Sequence, residues 1–188
     1  MAIHFGDNIS DSFLTENAIP QYINYGRGPH RVRTASFHVT VPASTVLTAD
    51  AILMGRIRSS DRIGGIWLSA PAFTSTAPTI NVGLYVSKVN GGYSSGLGTV
   101  IDADIFGAAA SLNLGTAQNR TDLFVAAGGA AFGVHRWKFA WEIANQTAAS
   151  YTADPRQTWD LVIAAGNTPT STGSAFEVLV EVDLIAGS

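Results

Sequence analysis

The chain has 188 residues, 46% of them hydrophobic and only 13% charged, with a formal net charge of −3. That length gives one domain with a sizeable core. The hydrophobic content excludes intrinsic disorder as the main state, and the charge excludes nucleic-acid binding by the whole surface. Cysteine is absent, which removes disulfides, thiolate metal sites and a cysteine nucleophile.

In chain order, the opening MAIHFGDNIS has no basic stretch followed by an apolar run, so no secretory signal is expected. Residues 1–33 show no sustained period. Their apolar residues stand scattered among Asn, Asp, Ser, Gly and Pro, which reads as an extended N-terminal arm, with at most a helical turn near Asp11 to Asn17. The arm ends in a basic cluster, Arg27, His30, Arg31 and Arg33. Arginine favours bidentate pairing with carboxylates or phosphates. Single-strand nucleic-acid grooves need more basic area with interleaved aromatics, so an acidic protein surface is the favoured partner.

From residue 34 to 188 the pattern is that of strands. Ala35, Phe37, Val39 and Val41 alternate with polar residues; so do Ile80, Val82, Leu84 and Val86, and so do Phe176, Val178, Val180, Val182 and Leu184. A period of two places one face on a core. Ala51–Arg58, Gly65–Ala70 and Trp159–Ala164 are shorter strand candidates. Asp102–Leu112 is the best helix candidate, with Asp102 as N-cap before an Ala-rich run. Trp137, Phe139, Trp141 and Ile143 alternate too, although Lys138 and Glu142 suit a short helix equally well. Turn signals at Asn90-Gly91-Gly92, Gly128-Gly129, Asp154-Pro155 and Gly166-Asn167 separate these units. The run from Ile63 to Ser87 is uncharged but holds Pro71 and Pro78, which excludes a membrane helix. Many short strands with little helix predict an all-β antiparallel sandwich with one short helix.

Chemical motifs are weak. Gly92-Tyr93-Ser94-Ser95-Gly96 matches a nucleophile elbow in letters, but Leu97, Gly98 and Thr99 make a poor helix start, so a hairpin loop is expected. Asp102-Ala-Asp104-Ile-Phe-Gly107 opens like a calcium loop and lacks the later carboxylate at Asn113. His4, His30, His38 and His135 do not pair at metal-binding spacing, and His38 is expected on a polar strand face. Glu177, Glu181 and Asp183 share one face of a strand, read as an exposed or salt-bridging surface. Trp67, Trp137, Trp141 and Trp159 could form a sugar platform, but apolar alternation makes most of them core. Three N-x-S/T sequences at Asn8, Asn119 and Asn145 mean little without a secretory signal. No cofactor or metal site is expected, and no catalytic residue is assigned.

The order of segments from Ala51 to Leu184 resembles a known family. Ile52-Leu-Met-Gly-Arg-Ile-Arg58 leads through Asp61-Arg-Ile63 to Gly65-Ile-Trp-Leu68 and Thr79-Ile-Asn-Val-Gly-Leu-Tyr85. Asp102-Ala-Asp-Ile-Phe-Gly-Ala-Ala109, Tyr151-Thr-Ala-Asp-Pro155, Trp159-Asp-Leu-Val-Ile163 and Phe176-Glu-Val-Leu-Val-Glu-Val182 follow. This pattern is similar to the head decoration or cement proteins of tailed bacteriophages. The resemblance implies a jelly-roll-like sandwich, not an enzyme, that binds the major capsid protein and sister copies, commonly as a homotrimer. It implies a place on the outer capsid surface of the virion, after assembly in the bacterial host cytoplasm. Tyr22, Tyr25, Arg27, Arg31 and Arg33 of the arm are then the expected partner contacts. The alternative is a carbohydrate-binding or host-attachment module of a fibre or tail.

Overall fold

The computed structural model describes residues 3–5, 32–41, 51–72, 79–88, 96–107, 117–124, 136–146, 150–167 and 176–185. Its strands are β1 (Ile3–Phe5), β2 (Arg33–Val41), β3 (Ala51–Arg58), β4 (Arg62–Ala70), β5 (Thr79–Val86), β6 (Val100–Gly107), β7 (Gln118–Asp122), β8 (Thr158–Asn167) and β9 (Phe176–Ile185). A short helix, α1 (Ala140–Ala144), lies between β7 and β8. None of the helices among the described residues is long and apolar enough to cross a membrane.

The strands form two sheets. Sheet A has the order β1-β3-β8-β5-β6 and sheet B the order β2-β9-β4-β7. Pairing is antiparallel except for β1, which runs parallel to β3 with Ile3 opposite Ala51 and Phe5 opposite Leu53. The pairs are nested in sequence. β5 pairs with β6, β4 with β7, β3 with β8 and β2 with β9. Contacts of β5 with β8 and of β4 with β9 join the nested pairs within each sheet. The expected all-β sandwich with one short helix is the architecture observed.

The core lies between the sheets, where the alternation of each strand points its apolar set inward. Phe37 and Val39 of β2, Ile66 and Leu68 of β4, and Val180 and Val182 of β9 meet Ile52 and Met54 of β3, Val82 and Leu84 of β5, and Trp159 and Leu161 of β8. Gly55 lets the sheets approach here. A Cβ at that position would fall 2.1 Å from the Phe37 ring, so the aromatic fills the space a side chain would need. The adjacent irregularity in β3, between Leu53 and Gly55, turns Met54 and Gly55 towards the same core.

Helix α1 is held by the β3–β4 turn. Its first N–H groups have no partners within the helix, and Ala140 N–H donates to Asp61 O at 2.8 Å while Trp141 N–H donates to Ser59 O at 3.1 Å. The Glu142 carboxylate accepts from Phe139 N–H at 3.0 Å and closes the start of the helix. Ser59 and Asp61 are fully buried in this junction. Ser59 Oγ donates to Asp154 Oδ1 and accepts from Gln157 N–H, which ties in the segment before β8.

The helix expected over Asp102–Leu112 is overturned within its described part. Residues 102–107 belong to β6, and 108–112 lie outside the described residues. The Ala-rich run suggested helix, but Ile101, Ile105 and Phe106 give more by packing on the core against Phe124 and the opposite sheet. The helix named among the described residues is instead Ala140–Ala144, the second of the two readings open for Trp137 to Ile143.

Candidate functional site

The outer face of sheet B carries most of the exposed chemistry. Along β9, Val178, Val180 and Val182 point inward, so Glu177, Leu179, Glu181 and Asp183 point out. Each acid meets a partner. Glu177 lies 3.6 Å from His38, Glu181 accepts from Arg120 Nε–H at 2.9 Å, and Asp183 accepts from Thr34 Oγ–H at 2.6 Å. Glu181 makes the expected salt bridge and Glu177 lies beside His38, whereas Asp183 pairs with a hydroxyl, and His38 sits on the outer face as expected.

Arginine and aromatic rings interleave beside these acids. Arg120 has a left-handed backbone, φ 55°, and its guanidinium lies 4.4 Å from the Trp67 ring centroid while pairing Glu181. The Trp67 ring in turn reaches over Gly65, where a Cβ would meet it at 2.3 Å. Arg136 forms an ion pair with Asp122, donates to Gly64 O at 3.0 Å and covers Phe124. Arg62 lies 4.2 Å over the Phe139 ring.

Trp137 stands at the rim of this cluster. It is 39% exposed and has φ 66°. A bridge-like pair of bonds fixes its backbone to β4, with Trp137 N–H donating to Ile63 O at 2.7 Å and Ile63 N–H donating to Lys138 O at 3.1 Å. Its ring occupies the space a Cβ on Gly64 would take, at 2.1 Å.

At the other end of the same face is a shallow groove of about 690 Å³. Its floor is Ala70, Pro71, Ala117 and Leu179, and its polar rim includes Thr40, Ser69, Asn119 and Glu177.

The outer face of sheet A is different in kind. Arg56 and Asp160 are opposite each other on β3 and β8, and both are buried. Arg56 Nε–H donates to Asp160 Oδ1 at 2.9 Å, the same oxygen accepts from Ser87 Oγ–H at 2.5 Å, and Arg56 also donates to Lys88 O. Next to them Ala51, Leu53 and Val162 form a small buried cluster with Tyr85 and Leu97 packed on it. At the open edge of this sheet, Asp102 and Asp104 face one another on β6. A hydrogen bond to the Asp102 carboxylate, then burial, then the charge of Asp102 push the Asp104 carboxyl above the usual aspartate range. Burial, and then the charges of Asp102 and Asp104, raise the Tyr85 phenol above its ordinary value of 10.0.

These features suit recognition by contact. Among the described residues no group of three or more His, Asp or Glu is placed to hold a metal ion, and Asp102–Gly107 is a strand in which Phe106 points into the core, not a calcium loop. The tryptophans divide. Trp159 is fully buried and stacks with Tyr151, Trp141 packs partly on the core and stacks with Phe139, Trp67 lies under Arg120, and Trp137 alone is strongly exposed. They make no continuous sugar platform. Of the arm residues singled out from the sequence, Tyr22, Tyr25, Arg27 and Arg31 lie outside the described residues, as does the Ser94 loop; Arg33 opens β2. The Trp137 and Arg62 surface was not singled out beforehand. Its signal was Gly64-Gly65, two glycines inside a strand pattern, which mark close approach by another group.

No protein-family model matches the chain, and no curated protein matches it in sequence. Two solved structures are similar to it to different degrees. A chain of "Cyanophage Pam1 capsid asymmetric unit" is 17% identical, covers 90% of this chain and 96% of its own, and has a TM-score of 0.44. A chain of "Capsid of Ralstonia phage GP4" is 12% identical, and the match covers 100% of this chain and 99% of that one with a TM-score of 0.58. At that identity the second likeness establishes a common fold, along the whole length of both chains.

Proposed function

We propose that this chain is a non-enzymatic structural protein of a phage virion that decorates and stabilises the outer surface of the capsid. The observation that carries the reading is the match in fold with a chain of a phage capsid, which covers 100% of this chain and 99% of that one. The nested strand order supports the finer reading of a jelly roll, the double-sheet arrangement of eight antiparallel strands in which β2 to β9 fold up as one long hairpin. A low charged fraction suits a surface covered in an assembly, because interface centres are depleted of charge.

In this reading the partners are the major capsid protein and sister copies, arranged as a homotrimer on the outside of the shell, with assembly in the host cytoplasm. The arm supplies contacts through Tyr22, Tyr25, Arg27, Arg31 and Arg33. Many copies with modest individual contacts give a large total avidity, and that is how a thin coat resists pressure from within.

The test uses shells assembled from the phage's major capsid protein alone. Full-length protein added to them is expected to sediment with the shells and to appear as ordered density on their outer face. Protein lacking residues 1–32 keeps β2 whole, and it is expected to melt cooperatively yet stay in the supernatant. Failure of the full-length protein to bind would remove the decoration role; full binding by the truncated protein would remove the arm from it.

A further inference from the structure

Two surfaces of the described fold carry charge without a partner of opposite sign, and each also carries an exposed apolar side chain. The first is basic. Arg62 is exposed, packs its guanidinium on Phe139 and forms no ion pair among the described residues, and Lys138 follows Trp137 beside it. The second is acidic. On the edge strand β6 Asp104 is exposed and Asp102 beside it is buried, neither has a cation paired with it among the described residues, and Val100 of the same strand is 52% exposed. Val100 and Trp137 are two of the three large hydrophobic residues left exposed among the described residues.

Trp137 is held outward at a cost. A bulky residue at positive φ is strained, and such strain persists only where the surroundings impose it. Here the backbone bonds to Ile63 and the ring seated on Gly64 impose it. A rigid exposed tryptophan flanked by arginine has the composition of an interface hot spot. Its ordering entropy is already spent before a partner arrives.

We propose that the surface formed by Arg62, Trp137, Lys138 and Phe139 docks the β6 edge of a second copy of this chain, with Arg62 set against Asp104 and Trp137 against Val100. The occupant follows from charge complementarity: the unpaired cation and the unpaired carboxylates are on different patches of one molecule, so two copies satisfy both. A contact between two unlike patches is head-to-tail, and repeated by rotation it closes a ring. The Asp104 carboxyl, raised by its hydrogen bond to Asp102, then by burial and by the charge of Asp102, is favoured in its ionised form when a guanidinium is brought against it. This inference rests on the reading above that copies of the chain assemble with one another, and it names the residues that join them.

The experiment is sedimentation equilibrium of the full chain over a range of concentrations at low salt, with thermal melts to confirm folding of each variant. The wild type is expected to form a discrete oligomer. Arg62→Glu and Asp104→Arg are each expected to weaken association by about tenfold or more, and the mixture of the two single variants to associate, because each supplies one intact patch and its reversed partner pairs with the other. Trp137→Gly keeps the fold by relieving the positive φ, and it is expected to weaken association to a similar extent. A monomeric wild type, or an oligomer indifferent to Arg62→Glu, would overturn the proposal. So would an Arg62→Glu protein that keeps its oligomer and loses shell binding, since the patch would then face the capsid. Shell binding by a monomeric wild type would leave the decoration role standing while this contact failed.

Discussion

Arg56 and Asp160 sit on the outer side of sheet A with side chains 6% and 0% exposed, so their charges are removed from water and are sustained by each other. Ser87 Oγ and Lys88 O add hydrogen bonds to the pair. Such a pair adds little net stability as a unit, but removing one member strands the other. Asp160→Ala is expected to destabilise the fold by about 3–5 kcal/mol, read as a lowered midpoint in urea. Replacement of both residues by apolar ones of similar volume is expected to cost far less. Asp104 behaves in the opposite sense. Its carboxyl is raised in the folded chain, so folding favours the protonated form. The stabilisation from that proton is fully present below the ordinary aspartate range, about pH 4, and is lost as the pH rises through the elevated folded value. Asp104→Asn removes the repulsion at neutral pH. Its melting temperature is expected to exceed that of the wild type at pH 7, with the difference closing below about pH 4; a constant difference across that range would assign the effect to something other than the charge.

The strands that were legible in the sequence are those with an undisturbed period of two. β2, β5 and β9 each place apolar residues on alternate positions, and β2 pairs with β9 over nine residues without a shift in register. Where the register slips, the pattern is lost. In β6 the pairing jumps between Val82 opposite Gly107 and Leu84 opposite Asp102, and consecutive Ile105 and Phe106 both reach the core. A period-two reading cannot recognise such a strand, and the Ala-rich run beyond it then favours helix. β7, with the sequence QNRTD, has no apolar residue at all and is defined by its pairing with β4. β1 has three residues, too few for any period. The candidate site was legible in part. The acidic face of β9 follows from spacing alone, whereas the place of Trp137 depends on contacts with Ile63 and Gly64, far away in the chain. The helix shows the same dependence. α1 has five residues, too short to persist by itself, and is stabilised by carbonyls of Ser59 and Asp61 and by Glu142. Glu142→Ala is expected to lower stability by about 1 kcal/mol, with the loss confined in hydrogen exchange to residues 139–146 and the β3–β4 turn.

At the scale of the whole molecule, the two layers divide their work. The sheet A surface closes over its own charges and apolar residues, whereas sheet B presents arginine, tryptophan and carboxylate outward. On the reading proposed above, that division leaves the sheet B side and the β6 edge, among the described residues, as surfaces for neighbours. The nested pairing also sets an order of events. The strands β2 and β4 do not touch each other in sheet B; β9 lies between them. In sheet A, β8 lies in the same way between β3 and β5. The middle of each sheet is thus contributed by β8 or β9, which follow β2 to β7 in the chain. Until those two are made, β4 and β5 can pair only with β7 and β6, while β2 and β3 await β9 and β8 across loops of a hundred residues or more, which makes folding slow. A nascent chain of this kind spends its synthesis exposed to the same strand-to-strand sticking that later builds its core, so its yield in a cell is governed by how quickly β8 and β9 arrive and by what shields the earlier strands while they wait.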